Sequence, residues 1–312
     1  MLSYLHSFHA GNHADILKHI TLLYTQSYFN KKNKPYTIFD THSGRALYDL
    51  SGIEACKTKE ALNGIERLLG DVKYNKNYPQ ELNSYIDFVL HFLDKGFYPG
   101  SPCYERALLN NESSLYLSEL HKSEYQHLEQ NISKIEKYSV GLKEFVSKGC
   151  YIKIENRDGF SLLKTSLPPV IKRGFILCDP SYEEKSDYIN ASEILSYAHK
   201  KWSAATILLW YPLLSNRKEE IEGMKQAILS TVKNRDSHTE VLDATLLVDT
   251  PDSHIETNLA EAIGSEKPRL YGSGMFVINP CWNTDQHLSA VLPYLANLLG
   301  RQGKGSYSVQ ML

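Results

Sequence analysis

The 312-residue sequence has few cysteines, and their spacing suggests no shared structural role. The five cysteines lie at positions 56, 103, 150, 178 and 281, without the close pairs that mark metal or redox sites. An odd number of cysteines also argues against a disulfide framework. The pattern excludes a small disulfide-stapled domain and predicts a protein of a reducing compartment.

Long apolar runs and a strong net charge are also absent. No apolar stretch approaches the roughly 18 residues of a membrane-spanning helix. The first residues carry neither the basic nor the apolar part of a signal peptide, so we expect a cytoplasmic protein. The net charge is −2, and any binding of nucleic acid would therefore depend on a local basic patch.

Short apolar runs alternate with helical patterns along the chain. Strands are predicted at residues 35–40, 115–119, 151–155, 175–178, 206–211, 241–248 and 274–279. This alternation is typical of an α/β fold with a doubly wound, mainly parallel sheet of seven strands. Two apolar stripes at helical spacing, Leu62-Ile65-Leu69 and Leu82-Ile86-Val89-Leu93, predict a helical insertion after the first strand. We therefore divide the chain into residues 1–49, the insertion at 50–100, and the remainder at 101–312.

The N-terminal 30 residues are rich in histidine. The four histidines are His6, His9, His13 and His19. No cysteine and no H-E-x-x-H pattern accompanies them, so a metal site is disfavoured. Asn12 is a predicted N-cap for the helix that follows. Lys18 and His19 fall near the start of this helix, where a solvated face is the simpler interpretation of either residue alone.

The turn after the apolar run at residues 175–178 has the clearest chemical potential. Asp179, Pro180 and Tyr182 stand at the carboxyl end of a predicted central strand, where open α/β sheets bind ligands. The Asp179 carboxylate and the Pro180 carbonyl can accept hydrogen bonds from the exocyclic amine of a base. Tyr182 can stack on a base that has left its own stack, a contact worth about 1–3 kcal/mol. For this tetrapeptide alone, an ordinary Asp-Pro turn is the simpler interpretation.

Four acids follow predicted strands of the sheet: Asp40, Glu119, Asp158 and Asp179. At one edge they would line a pocket with acceptors for ribose hydroxyls and amino groups, which an adenosyl ligand carries. The chain has no full G-x-G-x-x-G motif, and Glu119 lies far beyond the ~20-residue spacing of a dinucleotide fingerprint. These features favour S-adenosylmethionine over NAD.

Several specific motifs occur in a fixed order along nearly the whole chain. They are Tyr4-x-His6-Ser-Phe-His-Ala-Gly-Asn-His-Ala-Asp15, Leu17-Lys-His19, Asp40-Thr-His, Tyr98-Pro-Gly-Ser-Pro102, Asp158-Gly-Phe160, Asp179-Pro-x-Tyr182, Trp210-Tyr-Pro212 and Ser273-Gly-Met-x-Val-Ile-Asn-Pro280 with Trp282. This set resembles the bacterial 23S ribosomal RNA adenine-N6 methyltransferases of the J type, the RlmJ family. The resemblance implies a Rossmann-like class I S-adenosylmethionine-dependent fold and methylation of one adenine of 23S rRNA at N6.

The resemblance also implies roles for individual residues. S-adenosylmethionine, which leaves as S-adenosylhomocysteine, would be contacted by Lys18, His19, His42, Ser101, Glu119, Asp158, Gly159 and Asp179. Glu119 would bind the ribose hydroxyls and Asp158 the adenine amine. Asp179 and Pro180 would act on the target amine, and Tyr4 and Tyr182 would touch the RNA. We expect no metal and no membrane partner, but a monomer that binds 23S rRNA, free or in an early assembly particle.

Several positions depart from the family's usual pattern, among them Leu47 in place of an arginine and Cys281 in place of a proline. Ser181 stands where family members usually have a second proline, Ala46 where they have a glycine, and Leu5 where they have an arginine. These departures keep open a catalytically silent RNA- or adenosyl-binding module. The Asp-Pro-x-Tyr chemistry is also shared with DNA adenine methyltransferases, so a DNA substrate remains an alternative.

Two further features need a fold before they can be interpreted. A long polar segment at residues 250–273 suggests a loop over the site. Three basic clusters, Lys31-Lys32 with Lys34, Lys172-Arg173 and Lys200-Lys201, are candidates for contacting RNA.

Overall fold

The computed structural model describes residues 5–142, 148–251 and 270–312, which are built around an eight-stranded sheet. The strands are β1 (Thr37–Asp40), β2 (Leu47–Tyr48), β3 (Tyr98–Pro99), β4 (Ser114–Ser118), β5 (Tyr151–Glu155), β6 (Gly174–Cys178), β7 (Thr206–Leu214), β8 (Val241–Leu247), β9 (Leu270–Ile278) and β10 (Ser306–Met311). The helices are α1 (His13–Asn30), α2 (Ile53–Thr58), α3 (Ile65–Tyr74), α4 (Asn83–Leu93), α5 (Ser101–Ala107), α6 (Lys122–Tyr138), α7 (Gly159–Ser166), α8 (Lys185–Lys201), α9 (Lys218–Arg235) and α10 (Thr284–Leu299).

The large sheet has the strand order β10-β8-β9-β7-β6-β1-β4-β5. The five strands from β7 to β5 in this order are parallel, whereas β9 runs antiparallel to both β7 and β8. All seven predicted strands are present, and the doubly wound, mainly parallel α/β fold is confirmed. An eighth strand, β10, pairs antiparallel with the outer edge of β8.

Side chains of the central strands point alternately into two apolar cores. Ile38 and Phe175 belong to the core beneath α1, α6 and α10, whereas Phe39 and Ile176 belong to the core beneath α7, α8 and α9. Every residue of β1 and β6 is buried, as expected for parallel strands that helices cover on both faces. This double burial explains why these strands appear in the sequence as continuous apolar runs.

Helices α2, α3 and α4 lie between the short strands β2 and β3, which pair antiparallel at the base of the insertion. The predicted stripe of α4 is buried at Ile86 and Val89. The stripe predicted around Ile65 is wrong in part, because Leu62 is 52% exposed and Leu68 takes its place in the core. The division of the chain at residues 49 and 100 stays a prediction.

Two further features of the sequence can be compared with the structure. The predicted polar loop at residues 250–273 lies mostly outside the described residues, and its last four residues begin β9. Among the helices of the described ranges, none combines the length and the apolar character needed to cross a membrane.

Arg45 connects the insertion to the main sheet through two carboxylates. Its guanidinium binds both carboxylate oxygens of Glu124 in α6, at 2.8 and 2.7 Å, and its Nη1 donates to Glu54 of α2 at 2.8 Å. The Glu124 side chain is only 4% exposed, whereas that of Glu54 is 38% exposed. The buried half of this network therefore depends on Arg45 for its counter-charge.

We expect Arg45→Gln to lower the free energy of unfolding by about 3 kcal/mol, because the buried Glu124 carboxylate would lose its cation. The matched change Glu54→Gln should cost less than about 1 kcal/mol, because the partly exposed pair is screened by solvent. Urea unfolding of both variants beside wild type measures the difference. Equal losses in the two variants would contradict the assignment of Glu124 as the buried member.

Candidate active site

The carboxyl ends of the parallel strands open into one cavity. Because β1, β4, β5 and β6 run in the same direction, the loops that follow them meet at one edge of the sheet. The cavity there is lined by most of the residues predicted as site residues, namely Lys18, His19, His42, Ser101, Glu119, Asp158, Gly159, Asp179 and Pro180. Tyr182 does not line it, and Tyr4 lies outside the described residues.

Glu119 follows β4 and presents its carboxylate between two backbone segments. One oxygen accepts a hydrogen bond from the Gly44 N–H at 2.8 Å, and the other accepts from the His121 N–H at 2.7 Å. Burial raises the pKa of the Glu119 carboxyl above its usual value. Each oxygen keeps a further lone pair, so Glu119 can still accept hydrogen bonds from a bound diol.

Asp158 lies at the N-terminus of α7, beside the turn that follows β1. Its Oδ2 caps the helix by accepting from the Ser161 N–H at 2.8 Å and from the Ser161 hydroxyl at 2.7 Å. The next residue must be glycine, since a Cβ at Gly159 would overlap the backbone carbonyl of Thr41. This close approach holds Asp158 against the cavity, with its second oxygen available for an amine donor.

Lys18 and His19 are buried, which corrects the expectation that either would belong to a solvated face. They are 4% and 0% exposed because the sheet and the helices α4, α5 and α10 cover α1 on nearly all sides. The Lys18 ammonium donates to Asp179 Oδ2 at 2.5 Å and lies 3.0 Å from Asp15 Oδ1. Lys18 therefore connects the N-terminal helix directly to the turn after β6.

Asp15 was not predicted as a site residue, although its place three residues before Lys18 on one helix was an available signal. The carboxylate accepts from His6 Nε2 at 3.0 Å and from the Gly11 N–H at 2.8 Å. Although burial disfavours its charged form, the neighbouring His6 and Lys18 hold the pKa of Asp15 well below its usual value. Asp15 thus fixes both the N-terminal segment and Lys18.

Asp179, Pro180 and Ser181 line the cavity, but the ring of Tyr182 turns away into the protein. Tyr182 is 3% exposed and its hydroxyl donates to the Trp210 carbonyl at 2.9 Å. Its ring centroid lies 4.6 Å from that of Tyr188. The backbone of Tyr182 has φ +52°, a left-handed conformation that is costly for a bulky residue. Stacking of Tyr182 on a base requires a change at this turn and stays a prediction.

Ala46 occupies a left-handed conformation in the turn after β1. Its φ is +66°, and the residue is fully buried. Glycine adopts this conformation without steric cost, whereas a residue with a Cβ pays about 1–2 kcal/mol. The glycine that the resemblance predicts at this place would therefore have a conformational reason, and Ala46 adopts the left-handed conformation at some cost.

Asp40 does not line the cavity, which corrects the expectation that all four strand-end acids would do so. Asp40 is fully buried behind it, where Oδ2 accepts from the Ser101 hydroxyl at 2.8 Å and Oδ1 from the His42 N–H at 3.1 Å. Glu105, one turn along α5 from Ser101, is also fully buried, and neither of its carboxylate oxygens has a hydrogen-bond partner in the described part of the chain. Burial, together with the charge of nearby Asp40, raises the pKa of Glu105 well above its usual value, so this carboxyl group keeps its proton.

The remaining ionisable groups of the cavity suit a cationic ligand. Burial lowers the pKa of His42. For His19, burial and the nearby charges of Lys18 and His6 outweigh the opposite effect of Asp15 and bring the pKa to about 3. Both rings are therefore neutral near pH 7. Two buried ring nitrogens of lining residues, His19 Nε2 and His121 Nδ1, have no hydrogen-bond partner in the described part of the chain. In that same part, no group of three His, Cys, Asp or Glu side chains could hold a metal ion.

Comparison with protein families gives one match over most of the chain. A family model described as "Ribosomal RNA large subunit methyltransferase D, RlmJ" matches residues 33–312. The chain is 35% identical over 315 residues to the Ribosomal RNA large subunit methyltransferase J of Escherichia coli. It is 32% identical over 318 residues to the protein of the same name in Haemophilus influenzae. Both alignments cover 100% of this chain and 99% of the relative.

A solved structure shares the fold over nearly the same length. The crystal structure of a Legionella pneumophila protein of the DUF519 family superposes with a TM-score of 0.74 at 30% sequence identity. The superposition covers 97% of this chain and 98% of that one. The arrangement of sheet, helices and insertion is therefore also found in a protein whose structure was determined by crystallography.

The Asp40–Glu105 pair predicts a fall in stability as the pH rises. Burial is the main cause that raises the pKa of Asp40 to about 7 and that of Glu105 well above its usual value. The folded chain then holds a proton that the unfolded chain releases above about pH 4. The associated stability is full below that pH and is lost as the pH rises through about 7, the pKa of Asp40.

We expect Glu105→Gln to flatten this fall, because the uncharged amide beside Asp40 cannot ionise. Melting temperatures recorded by calorimetry from about pH 4.5 to about pH 7.5 should decline less than in wild type, by about 3 °C or more. Glu66→Gln, which removes an exposed carboxylate, is the matched control and should follow wild type. Parallel curves for Glu105→Gln and wild type would exclude a proton held by Glu105.

Proposed function

We propose that the chain, which belongs to the RlmJ family of ribosomal RNA large subunit methyltransferases, transfers a methyl group from S-adenosylmethionine to the N6 of one adenine in 23S rRNA. The observation that carries the proposal is the position of Asp179 and Pro180 on the wall of the same cavity as Glu119 and Asp158. The two halves of the reaction, cofactor binding and activation of an amine, thus meet in one place.

The donor set of the cavity fits an adenosyl cofactor. Glu119 would accept the ribose hydroxyls, and the free oxygen of Asp158 would accept the adenine amine. Phe160, whose ring meets His42 edge-on at 5.3 Å, would cover the adenine face. When bound, S-adenosylmethionine supplies an electrophilic methyl group on a positively charged sulfur. The acidic lining and the neutral histidines are compatible with that charge.

Asp179 and Pro180 would activate the target amine by accepting its two N–H groups. The amine lone pair is delocalised into the base, and two acceptors draw the nitrogen towards a tetrahedral geometry in which that pair can attack the methyl carbon. As the new C–N bond forms, the C–S bond breaks and its electron pair stays on sulfur. The nitrogen then loses one proton, to Asp179 or to solvent.

Lys18 would position Asp179 for this task. Its ammonium binds Oδ2 at 2.5 Å, which leaves Oδ1 to face the incoming amine. Such positioning contributes to the rate because a misplaced acceptor loses its in-line geometry with the sulfonium methyl. Lys18 thus acts through Asp179 as well as lining the cofactor cavity.

The departures from the family pattern do not remove this chemistry. Ser181 lies in the turn while both acceptors remain, and Ala46 keeps the left-handed turn after β1. These observations support an active enzyme over a silent binding module. The RNA substrate implies action in the cytoplasm, on 23S rRNA that is free or in an early assembly particle.

Transfer of a labelled methyl group to a 23S rRNA fragment tests the proposal. Wild type should produce labelled N6-methyladenine, and Asp179→Asn should reduce the rate by about 10²-fold or more, because the isosteric amide offers one acceptor oxygen and no negative charge. Tyr182→Ala should also lose activity if the ring stacks on the base, whereas Tyr182→Phe should retain most of it.

Duplex DNA with the same sequence is the substrate control. A wild-type enzyme that labels the DNA and not the RNA would replace the rRNA assignment with DNA adenine methylation. Cofactor binding without label on either substrate would contradict the proposed activity.

A further inference from the structure

Three basic clusters lie at the edge of the sheet opposite the cavity. Residues 31–34 precede β1, residues 172–173 precede β6, and residues 200–201 precede β7. These three strands are consecutive neighbours in the sheet and parallel, so their amino ends form one continuous edge. We call this surface the basic edge; it consists of Lys31, Lys32, Lys34, Lys172, Arg173, Lys200 and Lys201.

Hydrogen bonds hold the three segments of the basic edge together. The Arg173 guanidinium donates to the carbonyl of Lys34 at 2.9 Å and to that of Phe29 at 2.5 Å. The indole of Trp202, the residue after the third cluster, donates to the carbonyl of Lys172 at 2.9 Å. Arg173 also stacks on the Phe29 ring at 4.7 Å. Residues 172–173 are therefore bonded to the segment of the first cluster on one side and to that of the third cluster on the other, which fixes the backbone that carries the lysines.

The lysines of the basic edge are not held in ion pairs in the described part of the chain, although Asp236 and Glu240 lie beside its third cluster. All six of its lysines are exposed, and none forms an ion pair with a carboxylate in the described part of the chain. Residues 30–36, 167–173 and 199–206 contain no Asp or Glu. In a chain with a net charge of −2, seven cations on one edge form a strong local concentration of positive charge. Such a patch suits a polyanion.

The surroundings of the basic edge favour RNA over an anionic membrane. Beside Lys31, a groove is lined by the amide side chains of Asn33, Asn110 and Asn111, which can bind phosphate and ribose oxygens. A membrane-binding surface combines its cations with an apolar face. In the described segments of this edge, Val170 is the one large apolar side chain that is strongly exposed.

We propose that the basic edge binds the phosphate backbone of the substrate RNA at a place distant from the methylated adenine. This inference rests on the proposed function, which puts the target base in the cavity at the other end of the strands. Strands of four to five residues separate the two edges by roughly 13–17 Å, to which the flanking turns add. An RNA that fills the cavity therefore reaches the basic edge only through a second segment.

The test compares RNA binding by wild type and by the triple variant Lys32→Glu, Lys172→Glu and Lys200→Glu. Fluorescence anisotropy with a 23S rRNA fragment of several hundred nucleotides should show a Kd raised about 10-fold or more. The slope of log Kd against log salt concentration should fall by about 2, since each lost phosphate contact removes 0.7–0.9. The affinity for S-adenosylmethionine and the kcat at saturating RNA should not change.

The matched control is Lys73→Glu, Lys76→Glu and Lys304→Glu, three exposed lysines away from the basic edge with the same change in net charge. Equal loss of RNA affinity in this control would reduce the effect to net charge and overturn the proposal. A minimal stem-loop that carries the target adenine should bind both triple variants as it binds wild type. If the basic-edge variant lost affinity for the stem-loop as strongly as for the long fragment, the lost contacts would lie near the cavity, and the proposal would also be overturned.

Two further outcomes separate the possible explanations. Unchanged RNA binding together with lost binding to phosphatidylglycerol vesicles would overturn the RNA assignment in favour of a membrane. If RNA binding depends on the basic edge but wild type transfers no methyl group, the proposed function is overturned while the RNA contact stands. If wild type transfers methyl groups and the basic-edge variant binds RNA as tightly as wild type, the RNA contact is overturned while the proposed function stands.

Discussion

The ion pair between Lys18 and Asp179 is the interaction on which the rest of the site depends. Lys18 reaches Asp179 at 2.5 Å and Asp15 at 3.0 Å, and Asp15 in turn binds His6 and the Gly11 N–H. The N-terminal segment, the first helix and the turn after β6 are thereby held as one unit. Burying such a group of charges costs desolvation energy and is weak support for stability. Its value lies in placing one carboxylate where an amine and a sulfonium must meet.

The direction of the parallel strands gives the molecule two chemically different edges. Glu119, Asp158 and Asp179 follow the strands and gather at the carboxyl edge, whereas the basic edge precedes β1, β6 and β7. A small cationic cofactor suits the first surface, and a polyanion suits the second. The overall charge of −2 does not reveal this separation of charge. The separation is seen only when the residues before each strand are compared with the residues after it.

Much of this arrangement could be predicted from the sequence, because buried parallel strands leave apolar runs and the acids follow them directly. The residues that line the cavity could be predicted for the same reason. The burial of Lys18 could not be predicted, since the pattern of α1 does not reveal that α4, α5 and α10 all pack against this helix. The effect of Asp40 on the pKa of Glu105 links residues 65 positions apart and has no local signal in the sequence. The edge strand β10 is largely exposed and carries no apolar run. The inward ring of Tyr182 follows from a left-handed backbone that its residue type does not suggest.

A crystal structure of the protein with S-adenosylhomocysteine tests the central claim most directly, because it measures where the adenosyl group lies relative to Asp179. We expect the ribose hydroxyls within hydrogen-bond distance of Glu119, the adenine amine within the same distance of Asp158, and the sulfur beside Asp179. Lys18 should remain in contact with the Asp179 carboxylate. A ligand bound outside this cavity, or one whose sulfur lies far from Asp179, would contradict the account.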